Sequence, residues 1–184
     1  MSEDFQSDID AIGRLAAVPT ILDVACRTTG MGFAAVARVT ADRWIACEVR
    51  DEIGFGLKPG GELKLDTTIC RHARQRGGPV TIECVADDPE FANDPSPAMF
   101  GFQSCITVPI VLRDGSFFGT LCAIDPKPAK LRNPQILGMF RMFADLIAFH
   151  LDADARAEAS EADLIDERKA SELREQFIAV LGHD

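Results

Sequence analysis

SCITVPIVLRDGSFFGTLCAID, residues 104–125, carries the clearest structural signal in the chain. Two apolar runs of strand length flank Arg113-Asp114-Gly115, a turn signature, so the stretch predicts a β-hairpin. Immediately upstream, ADDPEFANDPSPAMFGFQ (86–103) holds three prolines, four acidic side chains and three phenylalanines. A long segment of this kind in a compact domain reads as a lid or binding loop. PVTIECV (79–85) reads as a strand. LDTTICRHARQRGG (65–78) reads as a helix, with Asp66 as its N-cap and Gly77-Gly78 as its stop.

Further toward the N-terminus, GFGLKPGGELKL (54–65) is a loop. Its glycines at 54, 56, 60 and 61 miss the dinucleotide pattern, because Pro59 occupies the third glycine position. FAAVARVT (33–40) and WIACEVRD (44–51) form a second predicted hairpin around Ala41-Asp42-Arg43. Residues 4–17 have helical period, with Phe5, Ile9, Ile12 and Leu15 or Ala16 on one face. Pro19 is expected to interrupt that helix, and a second one over 20–30 ends at Gly30.

Downstream of the hairpin, Asn133-Pro134 supplies a cap and a first helical residue. No proline follows, so the run to 183 reads as one helix of about 50 residues, ~75 Å long. Leu137, Phe140, Ala144, Ile147 and Leu151 follow 3-4-3-4 spacing, which predicts a coiled-coil seam. Leu173, Phe177 and Val180 resume it. Ala155, Ala162 and Ile165 are weaker, and the passage from 165 to 173 through Lys169 reads as a stutter that locally unwinds the coil. Residues 152–175 hold nine acidic and four basic side chains, a solvated and easily twisted segment. His150 borders the seam and reads as a boundary histidine. The fold class expected is α+β: an antiparallel sheet flanked by helices, then a long C-terminal coiled-coil helix. The domains expected are 1–150 and 151–184.

Composition bounds the function. At 47% hydrophobic and 26% charged residues, the chain of 184 residues supports a packed core. A net charge of −10 argues against a nucleic-acid backbone or an anionic lipid surface as partner. No apolar run reaches the ~20 residues that span a bilayer, and the acidic start lacks a signal pattern, so a cytoplasmic protein is expected. The cysteines at 26, 47, 70, 84, 105 and 122 form no C-x-x-C pair. They read as reduced, buried small hydrophobes, and no metal site is expected.

TTICRHA, GGPVTI, DDPEFANDP and the 104–125 hairpin together resemble the GAF family of sensor domains over roughly residues 8–150. The hairpin is similar to that family's V-P…G…G-x-L-C-x-x-D core pair. FIAVLGHD (177–184) resembles the start of the phosphoacceptor helix of two-component histidine kinases. That motif continues past the last residue here, so the chain is expected to be one part of a longer protein. The resemblance implies His183 as phosphoacceptor and Asp184 as the assisting base. A carboxylate on the far ring nitrogen fixes the tautomer and steadies the imidazole as it attacks phosphorus. The seam predicts a parallel homodimer through 137–181, and the resemblance implies a response regulator as partner of the whole kinase. ATP and magnesium are implied only for a catalytic domain that this chain lacks, so the chain alone is expected to be inactive.

A small-molecule pocket is expected between the sheet and helix 66–76 under the 86–103 lid, with Cys70, Arg71, Phe91, Phe100 and Phe102 as its residues. The alternative is that the phenylalanines only complete a core and the domain is a non-sensing dimerisation or docking module. Bilin attachment in similar domains uses a cysteine, often paired with histidine, before the V-P strand. Residues 92–103 contain neither, so no bilin and no other cofactor is expected. The Asn-Lys…Phe…Asp-Glu set of cyclic-nucleotide members is absent, and haem would have only His72. Some family members reduce methionine sulfoxide with cysteines. Cys47 and Cys70 fall near two of those positions, but the loop nucleophile is missing, with Ser96 and Ser104 nearest. Cys70, beside Arg71 and His72, stays open as a redox-sensing thiol.

Overall fold

The computed structural model describes residues 5–181, and the side chains of all of these except 173 and 175–181. The chain runs α1 (Gln6–Arg14), α2 (Ala17–Thr29), β1 (Phe33–Val39), β2 (Arg43–Asp51), β3 (Glu62–Lys64), α3 (Cys70–Arg76), β4 (Val80–Ile82), α4 (Pro95–Phe100), β5 (Ser104–Val111), β6 (Phe117–Asp125) and α5 (Pro134–Leu181). The six strands form one sheet in the order β3-β2-β1-β6-β5-β4. Every neighbouring pair is antiparallel. The expected α+β class with a long C-terminal helix is what forms.

Both predicted hairpins are present. The β5–β6 turn closes through Leu112 N–H to the Ser116 carbonyl, 2.8 Å, with Gly115 at φ 85°. That left-handed backbone is why a glycine stands there. The sheet buries both faces, so β1 carries side chains inward on each side. One face packs on α1, α2 and α5 through Val36, Ile106, Val108 and Leu121. The other packs beneath α3, α4 and the loops through Phe33, Ala35, Trp44 and Cys122, with Ile82, Phe91 and Cys105 alongside.

Several boundaries differ from the sequence reading. The first break falls at Leu15–Ala16, and Pro19 sits inside the first turn of α2. There its missing N–H costs nothing, since first-turn donors lack helical acceptors. Residues 65–67 form a 3-10 turn and α3 starts at Cys70, so Asp66 is not its cap. Instead the Asp66 carbonyl accepts from Arg71. The 54–65 loop contains the edge strand β3, and β4 spans only 80–82. The 86–103 segment contains α4, capped by Asp94 with Pro95 at its first position.

The largest correction concerns α5. It is a single helix of 48 residues, about 72 Å long. Phe140, Ala144, Ile147 and Leu151, assigned to the dimer seam, are buried in the domain core, with Leu137 packed at its edge. The periodicity marked a buried stripe, and the sheet is what buries it. The outward stripe is Met142, Leu146 and Phe149, which are 59%, 38% and 61% exposed. Among the described residues, Arg113 N–H to Asp152, 2.9 Å, and Arg14 to Glu158, 3.0 Å, are the last side-chain ties from the domain to α5. His150 lies edge-on to Phe149. No helix among the described residues is long and apolar enough to cross a membrane.

Candidate functional site: an apolar cavity lined by three thiols

Strand alternation places Trp44, Cys105, Thr107, Thr120, Cys122 and Ile124 on the sheet face opposite α5. α3 and α4 cover that face, leaving a cavity of about 50 Å³. Phe33, Phe55, Ile69, Cys70, Phe100 and Phe102 complete most of its wall. Phe55, Leu63, Phe100, Phe102 and Ile124 also line an adjoining open cleft of about 500 Å³. The rings of Phe55 and Phe100, 5.9 Å apart, stand where the two spaces meet.

Two devices hold the cover. Asp51 accepts the backbone N–H groups of Ile53, Phe55 and Gly56 at 3.2, 3.0 and 2.7 Å, which sets Phe55 against Phe33 at 4.9 Å. Burial raises the Asp51 pKa, but these donors and Gly54 outweigh it and lower the carboxyl below its ordinary range. On the other side, Asp94 caps α4 by accepting from Ser96 N–H at 2.9 Å and Ser96 Oγ at 2.6 Å. It also pairs with Arg71 at 2.5 Å and His72 Nε2 at 3.2 Å, tying α4 to α3.

Burial again raises the Asp94 carboxyl, and Ser96, His72 and the Arg71 charge outweigh it, so the net shift is downward. A depressed carboxylate contributes stability above its unfolded value, near 3.9, and loses it as pH falls through the lower folded value. Below pH about 4 the α3–α4 clasp is therefore expected to weaken. Asp94→Ala is expected to cost about 2 kcal/mol at neutral pH, combining a lost cap with an unpaired Arg71. Asp94→Asn, which keeps the cap acceptor, is expected to cost about half that. Urea denaturation of both variants at pH 7 and at a series of pH values falling below about 4 checks the ranking and its progressive narrowing in acid.

Of the sequence-predicted residues, Cys70, Phe100 and Phe102 line the cavity. Arg71 and Phe91 do not. Arg71 is spent on Asp94 and the Asp66 carbonyl. Phe91 is 3% exposed and packs edge-on to His72, with rings 5.1 Å apart. His183 and Asp184 lie outside the described residues. Sequence reasoning missed Trp44, Phe55, Thr107, Thr120, Cys105 and Cys122. A signal existed for four of these: Cys105 and Thr107, and likewise Thr120 and Cys122, recur at i, i+2 within apolar strands, which puts each pair on one face.

All six cysteines are free, five buried and Cys84 half-buried. Burial pushes Cys26 up to about 11 and Cys47 up to about 12, which makes both inert as nucleophiles at neutral pH. Cys70 shifts the other way. The Cys122 thiol and the Thr107 and Thr120 hydroxyls beside its sulfur lower it against the opposing effect of burial. The donor Cys122 is correspondingly raised, and burial raises Cys105. No group of three or more metal-ligating side chains occurs among the described residues.

Comparison with known proteins places this architecture. The family model described as GAF domain matches residues 14–151. No curated protein matches the chain. Among solved structures, it is similar to a type II free methionine-R-sulfoxide reductase from Thermoplasma acidophilum, at 17% identity and TM-score 0.57, covering 80% of this chain and 95% of that one. The chromophore-binding domain of an unusual bacteriophytochrome from R. palustris is similar at 14% identity and TM-score 0.63, over 83% of this chain and 60% of that one. The GAF-B domain of DevS from Mycobacterium smegmatis is similar at 17% identity and TM-score 0.59, over 83% and 99%. At these identities the structural likenesses establish the fold alone, and the family match extends from the end of α1 through the domain-bound part of α5. The chain belongs to the GAF domain family.

Proposed function

We propose that this chain is the sensory input module of a two-component histidine kinase, in which the state of the cavity is passed through α5 to His183. One observation carries the reading. β5 and β6 line the cavity with Cys105, Cys122 and Ile124 on one face. Their other face packs Ile106, Val108 and Leu121 in the same core as Phe140, Ala144 and Ile147 of α5. Cavity and helix are thus one strand-thickness apart. Close-packed interiors pass strain on rather than absorb it, so a change in how the cavity is filled shifts the seat of α5.

The outward stripe supports dimerisation. Met142, Leu146, Phe149, Ala153, Ala157, Ser160 and Leu164 recur at steps of 4-3-4-4-3-4, an almost constant bearing on a helix with one stutter. A second copy running parallel would cover it and bring the two C-terminal ends together, as a phosphoacceptor helix pair requires. The account keeps Asp184 as the residue that assists His183. A response regulator is then the downstream partner of the whole protein.

The cavity volume favours a second reading. Sites for drug-sized ligands usually measure ~300–1,000 Å³, and an enclosed space of about 50 Å³ supports a docking or dimerisation module without a bound cofactor. The two readings part on phosphorylation. Fusing residues 1–184 in register to the remainder of a histidine-kinase phosphoacceptor and ATP-binding region, then adding labelled ATP, is the test. Incorporation that His183→Gln abolishes, and that Phe100→Ala at the cavity mouth alters by at least about threefold, supports input coupling; changes of that size need only ~0.7 kcal/mol. Incorporation indifferent to Phe100→Ala supports docking, and incorporation that survives His183→Gln removes the phosphoacceptor assignment.

A further inference from the structure

Three thiols meet at one cavity: Cys70 from the start of α3, Cys105 from β5 and Cys122 from β6. Their surroundings are unequal. The Cys70 sulfur accepts the Thr120 hydroxyl at 3.3 Å and lies 3.5 Å from that of Thr107. Thr107 and Cys122 are register partners across β5 and β6, so Cys122 stands on the same strand face, and it lines the same cavity as Cys70. Trp44 lines this cavity and is 3% exposed, and its indole N–H has no acceptor among the described residues. Donors converging on one sulfur stabilise negative charge there, and the thiolate is the nucleophilic form of cysteine. Cys105 has no comparable set.

We propose that Cys70 and Cys122 form a reversible disulfide when hydrogen peroxide reaches the cavity, with Cys70 attacking and Cys122 resolving. The cavity suits that reagent. About 50 Å³ accommodates a molecule of a few heavy atoms, since a water occupies ~30 Å³ in the liquid. The Trp44 N–H offers a hydrogen bond to a peroxide oxygen, and the entrance lies between Phe55 and Phe100. In the first step the Cys70 sulfur attacks one peroxide oxygen. An S–O bond forms, the O–O bond breaks, and the departing oxygen leaves as water with the Cys70 proton. In the second, the Cys122 sulfur attacks the sulfenic sulfur. An S–S bond forms, the S–O bond breaks, and a second water leaves with the Cys122 proton. The two thiols are oxidised and the one peroxide is reduced to two waters. An external thiol reverses the bond by exchange.

The bond would draw α3 toward β6, whose opposite face seats α5; only this consequence rests on the signalling role given above. Reduced protein is treated with one equivalent of hydrogen peroxide, alkylated, digested and read by mass spectrometry. The expected product is a peptide pair linked through Cys70 and Cys122, with Cys70 consumed at least about tenfold faster than Cys84, the more exposed thiol, because thiolate content sets the rate. Cys122→Ser or Cys122→Ala halts at a Cys70 sulfenic acid that dimedone traps, and Cys26→Ser, in the core on the other side of the sheet, leaves the linkage unchanged. Thr120→Val slows Cys70 oxidation severalfold. Cys70 reacting no faster than Cys84, a different linked pair, or no trapped sulfenic acid in both Cys122 variants overturns the proposal. The coupling to α5 is read separately by the phosphorylation assay, so either failure is recognisable alone.

Discussion

Gly119→Ala is expected to lose about 3 kcal/mol of stability or more, at the top of the range for overpacking. A Cβ built at this position stands 1.8 Å from the Ala37 carbonyl oxygen and 3.1 Å from the Arg38 Cα. Both obstacles are backbone of the adjacent central strand, so no side-chain rotation relieves them. Gly119 faces Arg38 on β1 and Ile110 on β5, beside a register shift at Ile110/Val111. Relief would need β1 and β6 to separate, which breaks the sheet between the cavity and α5. Gly138→Ala is the contrasting control. Nothing lies within 4 Å of its added carbon, and the residue is inside α5, so it is expected to stabilise by about 0.5–1 kcal/mol. Urea titration of the two variants against the parent should move the midpoint in opposite directions.

Phe149→Glu is expected to dissociate the proposed dimer while leaving the protomer fold intact. Phe149 is 61% exposed, and its one aromatic neighbour among the described residues is His150, next to it in the chain. Its ring therefore contributes little to the protomer core. At the centre of a helix–helix seam an aromatic anchor contributes ~2 kcal/mol. A symmetric dimer carries the substitution twice, so the dissociation constant should rise by roughly a thousandfold, ~4 kcal/mol. Two carboxylates facing one another add repulsion. Sedimentation velocity across concentration reads the constant, and circular dichroism reads the fold. An unchanged dimer would place the seam elsewhere.

The sequence made the fold legible because its strongest signals were local. The Arg113-Asp114-Gly115 turn, the strand alternation beside it and the Asn133-Pro134 start depend on few neighbours. α5 shows the limit. Two stripes on one helix share the 3-4 step: Phe140-Ala144-Ile147-Leu151 and Met142-Leu146-Phe149-Ala153. Period says that a face is buried and not what buries it, and the more apolar stripe proved to be the domain core. The cavity was half legible for a related reason. Cys70, Phe100 and Phe102 stood in segments already marked as helix and lid. Trp44, Thr107, Thr120 and Cys122 lay in strands read only as core, and their convergence on Cys70 depends on the β1–β6–β5 pairing. Arg71 was drawn toward the pocket by its neighbour in sequence, yet helical geometry turns adjacent residues about 100° apart, and it faces Asp94. Short helices such as α4 escaped because a proline-rich segment of six helical residues has too little period to register.

Homotypic cross-linking along α5 tests the parallel dimer most directly. Single cysteines are placed at 142, 149 and 157 on the outward stripe, with 154 as an off-stripe control and 147 as a core control, and joined by a short bifunctional maleimide. In a parallel, symmetric pair each stripe residue meets its own counterpart. The account predicts covalent dimers at 142, 149 and 157, and none at 147 or 154. Cross-links absent from all three stripe positions, or strongest at 154, would contradict it.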